Sequence, residues 1–166
     1  MAPGQRRIQN TYRYEYHNEN PQGYVTEGDC VTRAFALAFE TSWEVILTEQ
    51  WAFAILNGRA MTCEKVIDMI AERHDYNRMK QPKRWDGTKF DSAEFCEICD
   101  QAGCKDPIVL HLSHHLITIK LGKERHYKVF DTWNSSHYSK VGYYYVSSHD
   151  EKKLQKAFLT ISSTSI

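Results

Sequence analysis

The sequence lacks a charge excess: 21 Lys and Arg balance 21 Asp and Glu, for a formal net charge of +0. A dedicated nucleic-acid binder carries a basic surplus, so that class is not expected. No stretch approaches the roughly 20 consecutive apolar residues of a membrane span. The opening Met1-Ala2-Pro3-Gly4-Gln5-Arg6-Arg7 runs into polar residues and not into an apolar core. No signal peptide is expected, and the chain reads as cytoplasmic with no membrane partner. Internal repeats and low-complexity linkers are absent too. One domain over residues 1–166 remains, large enough to bury its own core. The five cysteines are odd in number, which argues against a disulfide framework and for free thiols, a nucleophile or metal ligands.

What is present is a chain of 42% hydrophobic and 13% aromatic residues, mostly Tyr, enough to order a fold. Residues 1–28 are polar and aromatic with turn signals and read as an arm and loop. From Cys30 the pattern turns helical, with Val31, Ala34, Phe35, Ala38 and Phe39 on one face and Asp29 placed as an N-cap. Thr41 or Ser42 caps a second helix carrying Trp43, Ile46, Leu47, Trp51, Ala54 and Ile55, which Asn57-Gly58 ends. Thr62 caps a third with Val66, Met69 and Ile70. A basic loop over 79–89 follows, then a fourth helix from Asp91 or Ser92 to Ala102, closed by Gly103. This helical part spans 30–103. Residues 107–147 switch to strand period, and their short connections predict an antiparallel sheet. A last helix is expected over 149–160. Helices first and strands second make the class α+β, with N-terminal helices packed on a C-terminal antiparallel sheet.

Cys30 stands where chemistry is favoured. A helix N-terminus carries partial positive charge and free N–H groups, which lower a thiol pKa and can hold an oxyanion. Such a thiol needs a histidine, itself oriented by a carboxylate or amide. His115 heads the apolar strand Leu116-Ile117-Thr118-Ile119, and Asp131 ends the next strand. Each lies about seven residues from the turn at Gly122-Lys123-Glu124, so the two are expected as cross-strand neighbours. In that arrangement Asp131 takes the Nδ1–H and leaves Nε2 to the thiol. His114 competes with His115, since alternation aims one toward the thiol and the other away. Asn134 is the reserve for orienting the imidazole, and Asp131 has the alternative of capping a turn with Thr132.

The order of Cys at a helix start, His heading a strand and Asp on the following strand resembles the papain-like cysteine peptidase fold. The stretch Gly28-Asp29-Cys30-Val31-Thr32-Arg33-Ala34, the segments Met79-Lys80-Gln81-Pro82 and Asp86-Gly87-Thr88-Lys89, the histidine strand and Asp131-Thr132-Trp133 are similar to small proteins of phages and Gram-positive bacteria. That likeness runs from about Ile8 to Tyr145. It implies a Cys30, His115, Asp131 triad that cleaves an amide or isopeptide bond through a thioester, as a peptidase, isopeptidase or deamidase. It also implies no cofactor, a protein or peptide substrate, and a bacterial or infected host cell. About the substrate itself it says little. Papain-like enzymes place a Gln or Asn six residues before the cysteine as a second oxyanion donor. Tyr24 stands there instead, with Gln22 and Asn20 nearby as further candidates.

Other readings stand beside these. Arg33 lies one turn from Cys30 and is expected to pair with Asp29 or tie the helix to the sheet, and Trp133 is a supporting neighbour of Asp131. Lys80, Lys83, Arg84 and Trp85 form either a solvated loop face or a substrate loop beside the cleft. Cys96, Cys99, Cys104 and His111 have zinc-like spacing, but Cys96 and Cys99 fall within one helix, so no metal is expected. The competing function is a non-enzymatic binding or inhibitor module on the same scaffold. Oligomeric state is not legible in the sequence.

Overall fold

Successive residues of a strand point to opposite faces, and this chain builds a core on each. The computed structural model describes residues 9–25 and 28–164, and these contain one six-stranded sheet. The strands are β1 (Tyr14–Tyr16), β2 (Tyr76–Met79), β3 (Ile108–Leu112), β4 (His115–Leu121), β5 (Tyr127–Asp131) and β6 (Tyr144–Ser147), in the order β1-β5-β4-β3-β6-β2. The helices are α1 (Cys30–Ala38), α2 (Trp43–Asn57), α3 (Glu64–Arg73), α4 (Ser92–Ala102) and α5 (Ser148–Ser163). Val109, Leu116 and Tyr145 pack with α1, α2 and α3 on one face. Their strand neighbours Leu110, Ile117 and Tyr144 pack with α4 and α5 on the other.

The class is α+β. The expectation of a purely antiparallel, C-terminal sheet needs correction, because the sheet is mixed and takes strands from the N-terminal half. β1 pairs parallel with β5, setting Tyr14 opposite Val129 and Tyr16 opposite Asp131. β2 pairs antiparallel with β6 along the other edge. In β2, Tyr76 is buried while Asn77 and Arg78 are exposed, too short a pattern for its period to register. Nor do the helices all share one face, since α4 lies across the sheet from α1. Helix α5 also runs longer than 149–160.

Several ends follow their local chemistry. The Ser42 hydroxyl accepts from the Val45 N–H at 3.3 Å, and Gly58 ends α2 at φ 58°. Asp91 and Glu94 form a reciprocal capping box at α4. Two caps differ from expectation: Cys63 and not Thr62 precedes α3, and the Asp29 side chain accepts no backbone N–H of α1. Two buried polar pins then seat α1. The Thr118 hydroxyl donates to the Ala34 carbonyl at 2.6 Å, binding the helix to β4. The Thr32 hydroxyl donates to Gln50 Oε1, binding it to α2. No helix among the described residues is long and apolar enough to cross a membrane.

Candidate active site

β3 and β4 are joined by Ser113 and His114 alone, with His114 in the left-handed region at φ 54°. That turn leaves His114 exposed and starts β4 at His115. α1 starts at Cys30 on the face that Leu116 covers. The pin between Thr118 and Ala34 joins residues three and four positions past His115 and Cys30, so it fixes the height of the helix start over the strand start. The thiol and imidazole are thereby brought close enough for each to shift the other's titration.

Asp131 ends β5, and its Oδ2 lies 2.7 Å from His115 Nε2. The structure therefore brings Cys30, His115 and Asp131 together, with the ring edges reversed from expectation. Asp131 holds Nε2, and Nδ1 is left for the thiol. The register shows how the two residues meet. Thr118 pairs with Phe130, so one further step sets Asp131 across from Ile117 and diagonal to His115.

Asp131 is buried and well supplied with donors. Its Oδ1 accepts from the Thr132 N–H and its Oδ2 from the Ser135 hydroxyl, each at 2.7 Å. Its carbonyl accepts from the His17 N–H at 2.9 Å, which ties the acid to the strand added by the N-terminal arm. Turn-capping and imidazole-holding are thus both done by one carboxylate. Asn134 instead accepts from Ser136 and does not reach His115. Trp133 lies 5.3 Å from the His115 ring, centroid to centroid, and Tyr138 packs edge-on against Trp133.

The electrostatics follow from these neighbours. Burial pushes the Cys30 thiol up. The hydrogen bond with His115, a backbone hydrogen bond from Leu116 and the positive charges of His115 and Arg33 outweigh it and hold the thiol below its ordinary value. Burial pushes His115 down, but its hydrogen bonds to Asp131 and Cys30 carry it up to about 9. A thiol held below its ordinary value beside an imidazole held above its own favours a thiolate–imidazolium pair.

Asp29 does not cap α1 because its carboxylate has partners elsewhere. It accepts from Arg33 Nη1 at 2.6 Å and from Asn20 Nδ2 and Trp43 Nε1, each at 2.9 Å. Arg33 thus makes the pair with Asp29 that was expected of it. The first-turn N–H groups of α1 get no partner from Asp29, so they stay available to an anion. Asn20, Gln22 and Tyr24 line a groove of about 530 Å³ with Pro21, Gly28, Asp29 and Trp43. Of these three, Asn20 is buried and held by Asp29, whereas Gln22 and Tyr24 are exposed.

The basic loop runs along α4 and α5. Lys80 and Lys83 line a separate groove with Tyr144, Phe158 and Leu159 against α5. Arg84 pairs with Glu94 at 2.8 Å and lies over the Phe90 ring, which pulls the loop toward α4, and Trp85 is exposed. Cys96, Cys99 and Cys104 are buried in the α4–α5 core. His111, two residues from Val109, lies on the other side of the sheet and stacks on Tyr143, so the zinc-like set is not brought together. Among the described residues, Asp106, His149 and Asp150 bring potential ligand atoms within 4.8 Å. The Asp150 carboxylate is already taken by the Lys105 and Asp106 N–H groups and by Lys153.

Three further residues at the site were not singled out in the sequence. His17 and Glu19, bonded to each other at 2.7 Å, line a recess with Cys30, Arg33, Phe130 and Asp131. The recess holds about 10 Å³, room for one water. Ser135 is the other, and the sole sequence signal for it was a turn at Asn134-Ser135-Ser136. No family model, curated protein or solved structure matches the chain.

Proposed function

We propose that the chain is a thiol-dependent hydrolase with a papain-like arrangement, acting on an amide or isopeptide bond. One observation carries the reading. Three residues far apart in the sequence meet as a buried carboxylate, an imidazole and a thiol at a helix N-terminus. Structural cysteines are usually buried in apolar surroundings that raise their pKa, whereas this one is lowered.

The chemistry follows from the pair. The Cys30 thiolate attacks the carbonyl carbon, a C–S bond forms, and the carbonyl π electrons move to oxygen. The Cys30 N–H at the start of α1 faces that developing charge, and the polar residues of the Asn20 groove offer a second donor. As the intermediate collapses, the C–N bond breaks and the amine leaves with a proton from the His115 imidazolium. Neutral His115 then takes a proton from water, whose oxygen attacks the thioester. Acid is released, and the thiolate and imidazolium are restored. Asp131 stays ionised and holds the ring. With a side-chain amide as substrate, the same steps constitute deamidation.

The test is a proteome-derived peptide mixture incubated with the chain and with Cys30→Ala, read by mass spectrometry. Cleaved or deamidated products that require Cys30 are expected. If no product depends on Cys30, and an electrophile modifies Cys30 no faster than the half-buried Cys63, the reading is sunk and a binding module takes its place.

A further inference from the structure

We propose that α2 is a self-association surface through which two copies of this chain pair antiparallel. An amphipathic helix buries one stripe and shows polar residues elsewhere. α2 does not follow that pattern. Ile46, Gln50 and Ala54 are buried, yet Val45, Trp51, Ile55 and Leu56 are 44%, 53%, 71% and 79% exposed. Trp51 and Ile55, like Ala52 and Leu56, are one turn apart and therefore adjacent on the surface. Residues 45–58 contain a single charged side chain, Glu49, and it is bound by Arg73 at the end of α3 and His74 just past it. From Val45 to the Gly58 cap the outer face of α2 is thus largely apolar and carries no unpaired charge.

The charges at its two ends identify the occupant. Glu44 lies in the first turn and Arg59 just past the Gly58 cap, and among the described residues neither side chain makes an ion pair within the chain. They are equally far from the midpoint between Trp51 and Ala52. A two-fold antiparallel pairing about that midpoint sets Glu44 against the partner's Arg59 twice. The same register places Trp51 against the partner's Ala52 and Ile55 against the partner's Thr48, large against small. An isologous interface requires this self-complementarity, which a surface evolved for an unrelated partner does not. Opposed helix dipoles favour the same orientation. Burying these four side chains on both copies removes on the order of 1,000 Å² of apolar surface from water, near the lower edge for specific interfaces. The dimer is therefore reversible and half-associated at roughly 10–100 µM.

Sedimentation of the full chain from about 1 to about 300 µM tests this. A monomer–dimer transition is expected, and Leu56→Glu abolishes it. That side chain is the most exposed of the four, so the melting temperature stays near wild type. If Leu56→Glu does not fold, Ala52→Arg, also on the outer face, makes the same break with a good helix former. Glu44→Arg alone and Arg59→Glu alone each weaken association about tenfold, and the double exchange restores it. A chain that stays monomeric throughout overturns the proposal and leaves the face to a different protein. So does association that survives Leu56→Glu, or a double exchange that fails to restore it.

Discussion

The two faces of the sheet each bury cysteine beneath a helix, and they treat it in opposite ways. On one face Cys30 begins α1, half-buried, and His115, Leu116 and Arg33 hold its thiol below the ordinary value. On the other face Cys96 and Cys99 lie inside α4, closed from solvent. Burial pushes both thiols up; around Cys96 the carboxylates outnumber the single favourable charge of Arg13, and Cys99 meets the Cys104 thiol. Burial acts in the same direction on all three. The difference is made by what the backbone and neighbours offer a negative charge. A helix start offers N–H groups and an imidazole across the gap, whereas a helix interior has used its N–H groups in its own turns.

The comparison breaks most visibly under alkylation. With iodoacetamide at about pH 6.5, Cys30 reacts at least about a thousand times faster than Cys96 or Cys99, read by peptide mass spectrometry. In denaturant the three become equal. Comparable rates in the folded chain would remove the distinction between the faces. His115→Ala comes next: at the same pH the Cys30 rate falls about 10- to 100-fold, because the hydrogen bond and positive charge that hold the thiol down are gone. The loss narrows as the pH rises and free thiol ionises. Turnover of any substrate found in the peptide screen has two limits in the wild type. It rises as Cys30 ionises, at a pH below the ordinary thiol range, and falls as His115 loses its proton near pH 9, when no acid remains for the leaving amine. A pH–rate profile that keeps climbing past about pH 9 would exclude His115 as that acid.

On the opposite face the effect is on stability. Cys99→Ala leaves a small cavity in a fully buried site and costs about 1 kcal/mol or somewhat more, measured by denaturant unfolding. The alkylation rate of Cys30 is expected to stay unchanged. A slowed Cys30 would mean that the two cores are coupled through the sheet.

The chain order explains which parts of this contrast were legible beforehand. Cys30, His115 and Asp131 each sit at the end of an element with a clear period, so the sequence alone assigns each to an element end and pairs His115 with Asp131 across strands. Cys96 and Cys99 fell on a helix with its own caps, which argued against zinc. What escaped depends on contacts between distant segments. β1 is three residues long and pairs parallel with a strand more than 100 residues away, so neither period nor turn announces it. His17 and Glu19 reach the site through that strand's exit. Asp29 reads as a cap by local rule, but Asn20, Trp43 and Arg33 compete for its carboxylate. Asp131 lies diagonal to His115 and not directly across, a one-step difference that counting residues from the turn does not resolve.

The smallest expected effect probes why the Cys30 face works. α1 is pinned by two buried hydroxyls, and they point to different neighbours. Thr118 ties it to the strand of His115, while Thr32 ties it to α2. Thr118→Val keeps the shape and removes one hydrogen bond, so it costs about 1 kcal/mol. It also frees the helix start to shift against the imidazole, and the Cys30 alkylation rate at about pH 6.5 is expected to fall two- to fivefold. Thr32→Val leaves Gln50 Oε1 buried without its donor and costs about 1–3 kcal/mol, yet it does not touch the seam between thiol and imidazole. It should lower stability more and the alkylation rate less. If both variants slow Cys30 in proportion to their stability loss, α1 is held by packing alone. If Thr118→Val slows it out of proportion, the hydroxyl on β4 sets the distance that holds the Cys30 thiol below its ordinary value.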